Sequence, residues 1–160
     1  MRHVISIVVE DRFGALARIV ELFTSRGYNL DSICSGEAET EGVHRITIVT
    51  QGDDRKIRHI VKLLKNIVYV FEVTHLDPSE HLSRELMVAR LKINSEVRGQ
   101  VLQLINAYNG TIIEMNGDTL VFQVVGGAAQ LDGVAQVFRE YEIIEMARTG
   151  EAAIRKTLSS

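Results

Sequence analysis

The sequence predicts an α+β chain that uses one pattern twice: strand, helix, strand, strand, helix, strand. Three observations carry the prediction. Segments with apolar residues at helical spacing alternate with short apolar runs of strand length, in the same order in both halves. The only proline, Pro78, lies in a polar stretch between the halves. Turn residues also separate the paired strands of each half, Thr40-Glu41-Gly42 in the first and Asn116-Gly117 in the second.

The first strand is the apolar run Val4 to Val9. It hands over at Gly14 to a helix in which Leu16, Ile19, Val20 and Phe23 recur at i, i+3, i+4 and i+7 as one stripe, with Arg18, Glu21 and Ser25 on the wet side. Gly27 follows the last turn, where a left-handed residue ends a helix at little steric cost. The N–H groups of residues 14 to 17 have no partner within the helix, and with the positive end of its dipole they suit a carboxylate or phosphate. Gly14 has a plainer reading too, a tight strand-to-helix connection.

Residues 30 to 39 form a weak strand suited to a sheet edge, and Val43 to Gln51 a firmer one. Asp53 and Asp54 open a second helix striped by Ile57, Ile60, Val61 and Leu64, and Asn66 closes it. Val68 to Val73 completes the first unit. After a polar linker, Glu85 to Ile93 is a strand, and Asn94 or Ser95 caps a helix with Val97, Val101, Leu104, Ile105 and Tyr108 turned inward. A hairpin of Gly110 to Met115 and Thr119 to Val125 follows. Gly126-Gly127 leads into a helix through Leu131, Val134, Ala135 and Phe138, and Tyr141 to Ala147 is the last strand. The chain thus reads as two tandem ferredoxin-like βαββαβ units, 1–74 and 84–148, joined by a linker over 75–83. The tail, 149–160, either frays or docks as a brief amphipathic helix. Strands such as VISIVV and TLVFQVV are apolar at nearly every position. The helix-free sheet face is therefore expected to be covered by the other unit or another chain, and a homodimer or larger assembly is expected.

Composition narrows the function. Hydrophobic residues at 46% and charged residues at 24% describe an ordinary folded chain, long enough at 160 residues for one good core or two small ones. A net charge of −3 argues against nucleic acid as the main partner. Neither a signal segment nor a membrane span is visible, so the cytoplasm is expected, and no membrane. The single Cys34 is read as a small strand residue.

No catalytic constellation emerges. The five histidines are scattered; His75 and His81, with Asp77 and Glu80, lie in the linker at no recognised ligand spacing, so no metal site is expected. The serines show no nucleophile elbow, and no carboxylates pair for acid–base work. The same βαββαβ order serves RNA-binding modules, but VHRITIVTQ has no aromatic residue and TLVFQVV only Phe122, without a basic residue.

The run GALARIVELFTSRGYNLDSI (14 to 33) resembles the opening of the small, regulatory subunit of acetolactate synthase (acetohydroxyacid synthase), whose first unit is an ACT domain. The resemblance continues through RITIVTQGDD, the REL at 84 to 86 and EMARTG at 145 to 150. It implies an N-terminal ACT domain, effector-binding and dimerising, followed by a C-terminal ferredoxin-like domain. It also implies a non-catalytic partner of the synthase's large subunit that raises activity and imposes feedback inhibition by valine or another branched-chain amino acid. Thiamine diphosphate, magnesium and FAD belong to the large subunit, so no cofactor is expected here. Carried over by position, the effector site takes Asp11, Gly14, Ala15 and Leu16 from one chain and Asn29 and Leu30 from its dimer partner. The second unit, whose Gly126-Gly127-Ala128-Ala129 loop lacks acidic and Asn partners, is not expected to be a second effector site. Family members commonly have Asn where this chain has Asp11, and a small residue or proline where it has Phe13. An ionised Asp11 must then face the effector's ammonium or pair with Arg12, Phe13 narrows the pocket, and a weaker or altered valine response is expected. The alternative is a free-standing ACT-type amino-acid sensor acting on another partner; no helix-turn-helix or basic segment is left over to make it a DNA-binding one.

Overall fold

The computed structural model describes residues 1–156, and the chain within them follows the expected order twice. The first unit contains β1 (Arg2–Glu10), α1 (Ala15–Ser25), β2 (Leu30–Glu37), β3 (Val43–Gln51), α2 (Asp54–Lys65) and β4 (Val70–Leu76). The second contains β5 (His81–Lys92), α3 (Arg98–Ala107), β6 (Thr111–Asn116), β7 (Thr119–Gly126), α4 (Ala128–Phe138) and β8 (Ile143–Arg148). A further strand, β9 (Ala152–Arg155), follows. The strand orders β2-β3-β1-β4 and β6-β7-β5-β8 correspond position for position, and their pairings are antiparallel. This is the ferredoxin-like arrangement in duplicate.

Two compact units result, Met1–Ser83 together with the chain from Glu151, and Arg84–Gly150. In the first, Ile5, Ile7, Val9, Ile46, Ile48 and Val73 pack one sheet face against Ile19 and Phe23 of α1 and Ile57, Ile60 and Leu64 of α2. In the second, Met87, Leu91, Phe122 and Val124 meet Val101 and Ile105 of α3 and Leu131, Val134 and Phe138 of α4; the Phe122 and Phe138 rings lie 4.7 Å apart. Arg148 ties β8 to β5 through both oxygens of buried Glu85 (2.8 and 2.9 Å) and to α4 through Asp132 (2.7 Å).

Local signals hold where backbone geometry demands them. Gly14, Gly27, Gly42 and Gly117 all have positive φ. Asp53 caps α2 by accepting the Lys56 N–H (2.8 Å). Cys34 lies on edge strand β2, half-buried.

Three expectations change. The apolar stripe of α1 divides: Ala15, Ile19 and Phe23 are buried, whereas Leu16 is 42% exposed and Val20 half-buried. Residues 16 and 20 trail 15 and 19 by about 100° around the axis, so they look past the sheet edge rather than into it. Next, β4 begins at Val70, after a turn in which the Val70 N–H donates to the Ile67 carbonyl (3.0 Å), and Val68 is left outside in solvent.

The third change concerns the tail and the helix-free face. Along β1, Ile5, Ile7 and Val9 face the helices; Val4 and Ser6 face away, beside Val49 and Thr47 of β3 and Leu76 and Thr74 of β4. That face is half polar, and its apolar end, Val4, Val49 and Leu76, is covered by Ala153 of β9. Arg155 reaches Thr74 (2.9 Å) and Glu72 (3.4 Å), and buried Glu151 pairs with Arg2. Residues 152 to 155 thus form a strand instead of fraying or forming a helix; residues 157–160 of the predicted tail lie outside the described residues. Strand β5 starts at His81 rather than Glu85. Its pairings with β7 and β8 begin only at Glu85 and Met87, and β9 pairs with β5 as well.

Candidate functional site

The β1–α1 turn opens a pocket of about 910 Å³ in the first unit. Gly14 makes it possible: at φ 81° it occupies the left-handed region, where a side chain would be strained. The helix that follows has no side-chain cap and no acidic residue in its first turn. Of the N–H groups at residues 14 to 17, that of Ala15 is taken by the Arg12 carbonyl (3.2 Å). Those of Gly14, Leu16 and Ala17 donate to no acceptor among the described residues. The anion-accepting end of the helix therefore has three donors rather than the four expected.

The wall beside these donors is apolar. Leu16 and Val20, the residues that turned away from the sheet, line it with Ala17, Val9 and Ile46. Its polar side carries Asp11, Ser35 and His44. The Asp11 N–H is anchored on the Gly42 carbonyl (2.8 Å), and its carboxylate faces His44, with Oδ2 3.7 Å from Nε2. Arg12, the partner considered for Asp11 in the sequence, instead pairs with Glu10 (3.6 Å) and lies over the Tyr69 ring, 5.0 Å from its centroid. Phe13 also lines the pocket and is fully exposed in the single chain.

Four of the six expected site residues, Asp11, Gly14, Ala15 and Leu16, line this one pocket. Asn29 and Leu30 do not; they lie beyond the other end of α1, where the Asn29 carbonyl accepts the Thr50 hydroxyl. The 11 residues of α1 span about 16 Å, too far for one small molecule to touch both ends of the same helix. His44, Ser35, Val20 and Ile46 were absent from the sequence-level site. The alternation in VHRITIVTQ puts His44, Ile46 and Ile48 on one face, which is the signal that points to His44 once the strand order is known.

A second cavity, about 570 Å³, lies at the opposite end of β1 and is lined by His3, Asp54, Arg58, His75 and Asp77 among others. His3 is buried. Its Nε2 lies on the Gly52 carbonyl (3.1 Å), which fixes it as the donor there, so Nδ1 accepts from His75 Nε2 (3.1 Å). His81 turns instead to the Asp77 carbonyl (2.6 Å), and Asp77 caps its own turn through Ser79. The linker histidines are thus parted by the fold. Among the described residues no group of three or more His, Cys, Asp or Glu is arranged to hold a metal ion, and no helix is long and apolar enough to cross a membrane.

Duplicated ferredoxin-like units, with an open pocket at the first strand-to-helix turn, place the chain among α+β proteins of the ACT type. Residues 5–72 match the AHAS small subunit-like ACT domain, and residues 84–157 match the small subunit of acetolactate synthase. The chain belongs to the family of acetolactate synthase small subunits. It is 37% identical over 155 residues to a probable acetolactate synthase small subunit of Methanothermobacter thermautotrophicus, covering 96% of this chain and 92% of that one. A probable small subunit of Archaeoglobus fulgidus is 32% identical, with 96% of each chain covered. The crystal structure of the acetolactate synthase small subunit from Thermotoga maritima superposes with a TM-score of 0.93 at 28% identity, over 99% of both chains.

Proposed function

We propose that this chain is the regulatory subunit of an acetolactate synthase: it binds the catalytic large subunit, raises its activity and transmits feedback inhibition by a branched-chain amino acid, valine first among them. The observation that carries the reading is the pocket at the start of α1, whose open N–H groups, carboxylate and aliphatic wall match the three parts of such an amino acid. The effector's carboxylate meets the N–H groups of Gly14, Leu16 and Ala17; its side chain lies against Leu16, Val20 and Ile46; its ammonium is held by Asp11. The second half of the site, Asn29 and Leu30, comes from another copy of the chain in a homodimer, since within one chain they are about a helix length away. Occupancy then couples to the way two copies sit, and a coupling of about 1 to 3 kcal/mol suffices for useful feedback.

Under this reading the chain is not itself catalytic. Thiamine diphosphate, magnesium and flavin reside on the large subunit, and the complex works in the cytoplasm. The test mixes the purified chain with a large subunit and follows acetolactate formation with and without valine, leucine or isoleucine. A rise in activity on mixing and its suppression by one of the three amino acids support the reading. No association and no rise would overturn it.

A further inference from the structure

The effector reading leaves the imidazole of the pocket, His44, without a role. His44 lies on β3 in register with Val9 of β1 and Glu37 of β2, on the helix-covered face, and its Nε2 stands 3.7 Å from Asp11 Oδ2. That distance is too long for a hydrogen bond between them, yet short enough for one small cation to touch both. The other charges around the pocket are Glu10 at the end of β1, Arg12 on the turn, Glu21 on α1 and Glu37 across the strand. Arg12 pairs with Glu10 (3.6 Å), and Glu21 holds Arg18 (2.7 Å). Among the described residues His44 is therefore the group in position to neutralise Asp11.

We infer that His44 and Asp11 together form the ammonium subsite of this pocket, and that a proton on His44 competes with the effector for it. The inference rests on the amino-acid reading proposed above. With His44 neutral and its ring hydrogen on Nδ1, the Nε2 lone pair and the Asp11 carboxylate both accept from one ammonium placed between them. With His44 protonated, Nε2–H donates toward Asp11 instead, and one acceptor is lost while the other is neutralised. Proton and ammonium exclude each other at this pair. Effector binding therefore strengthens as pH rises.

Calorimetric titration of the full chain with L-valine, L-leucine and L-isoleucine at about pH 6 and about pH 8 tests this in the wild type, His44→Gln and Asp11→Asn. Glutamine keeps an acceptor oxygen and cannot take the proton, and comparison with it cancels any pH effect arising elsewhere. The wild type is expected to bind the active amino acid roughly tenfold more tightly at the higher pH, since one displaced proton allows at most about tenfold per pH unit. His44→Gln should bind with nearly the same affinity at both. Asp11→Asn should bind more weakly at both and keep a slope of the same sign, because a proton on His44 still removes an acceptor from the ammonium. A flat wild type, or equal slopes in wild type and His44→Gln, overturns the His44 assignment and leaves the effector reading standing. No heat with any of the three amino acids at either pH overturns the effector reading itself. Should His44→Gln fail to fold by circular dichroism, His44→Asn carries the test in its place, and a wild-type slope persisting in it overturns the competition.

Discussion

The chain passes from strand to helix at the same topological place in each unit, after β1 and after β5, and the two turns satisfy their backbone differently. In the second unit Asn94 closes the turn itself: its Oδ1 accepts the N–H groups of Glu96 and Val97, each at 3.0 Å. In the first, Gly14 holds the left-handed conformation, no side chain caps α1, and the donors of Gly14, Leu16 and Ala17 are left facing a pocket. The Gly126-Gly127 loop precedes α4, so its topological counterpart is the turn before α2 rather than the Gly14 turn. The lesson is one of saturation. The turn before α3 closes on its own asparagine, whereas the start of α1 leaves three donors beside an apolar wall.

The contrast can be broken first at the level of packing. Both helices are anchored by residues fully removed from water, Phe23 in α1 and Ile105 in α3. Phe23→Ala should lower the unfolding free energy by about 3–5 kcal/mol and Ile105→Ala by about 2–5 kcal/mol in denaturant titrations. A much smaller loss at Phe23 would mean that α1 is held less firmly than α3, so that an open turn goes with a loose helix.

Gly14→Ala probes the turn itself. Forcing a Cβ into the left-handed region should cost about 1–2 kcal/mol of stability and abolish or sharply reduce the calorimetric heat with the active branched-chain amino acid. Asn94→Ala is the matched change in the second unit. It should cost about 1 kcal/mol and leave amino-acid binding as it was; weakened binding would sink the claim that the two turns have separate tasks. Leu16→Ala removes wall rather than core. It should change stability by less than about 0.5 kcal/mol while lowering affinity for the effector.

The smallest effect separates the units by acidity. All five histidines of the chain fall in Met1–Ser83. Burial, reinforced by His3 beside it, holds His75 below the ordinary imidazole range. An unfolded chain then takes up this proton before the folded one does, so stability falls as pH drops through about 6.5 and on toward the lower folded value. Denaturant midpoints at about pH 7 and about pH 5 should differ more for the wild type than for His75→Gln. Equal shifts would assign the acid sensitivity to other groups.

What the sequence determined by itself was everything that depends on near neighbours along the chain. The period of Ile57, Ile60 and Leu64 sets the buried face of α2, Asp53 caps α2, Asn94 closes the turn before α3, and Gly42 and Gly117 turn their hairpins, because each is settled by backbone geometry within a few residues. The resemblance in residues 14 to 33 pointed to the family and to Asp11, Gly14, Ala15 and Leu16 as one half of a site. What only the tertiary structure decided was which distant residues meet. Strand order and register put His44 of β3 against Asp11, leave Asn29 and Leu30 at the far end of α1, and bring Ala153 over Val4, Val49 and Leu76. No local periodicity encodes such meetings. They follow from how strands separated by many residues align, and a single change of register would send each of those side chains to the other face of its sheet.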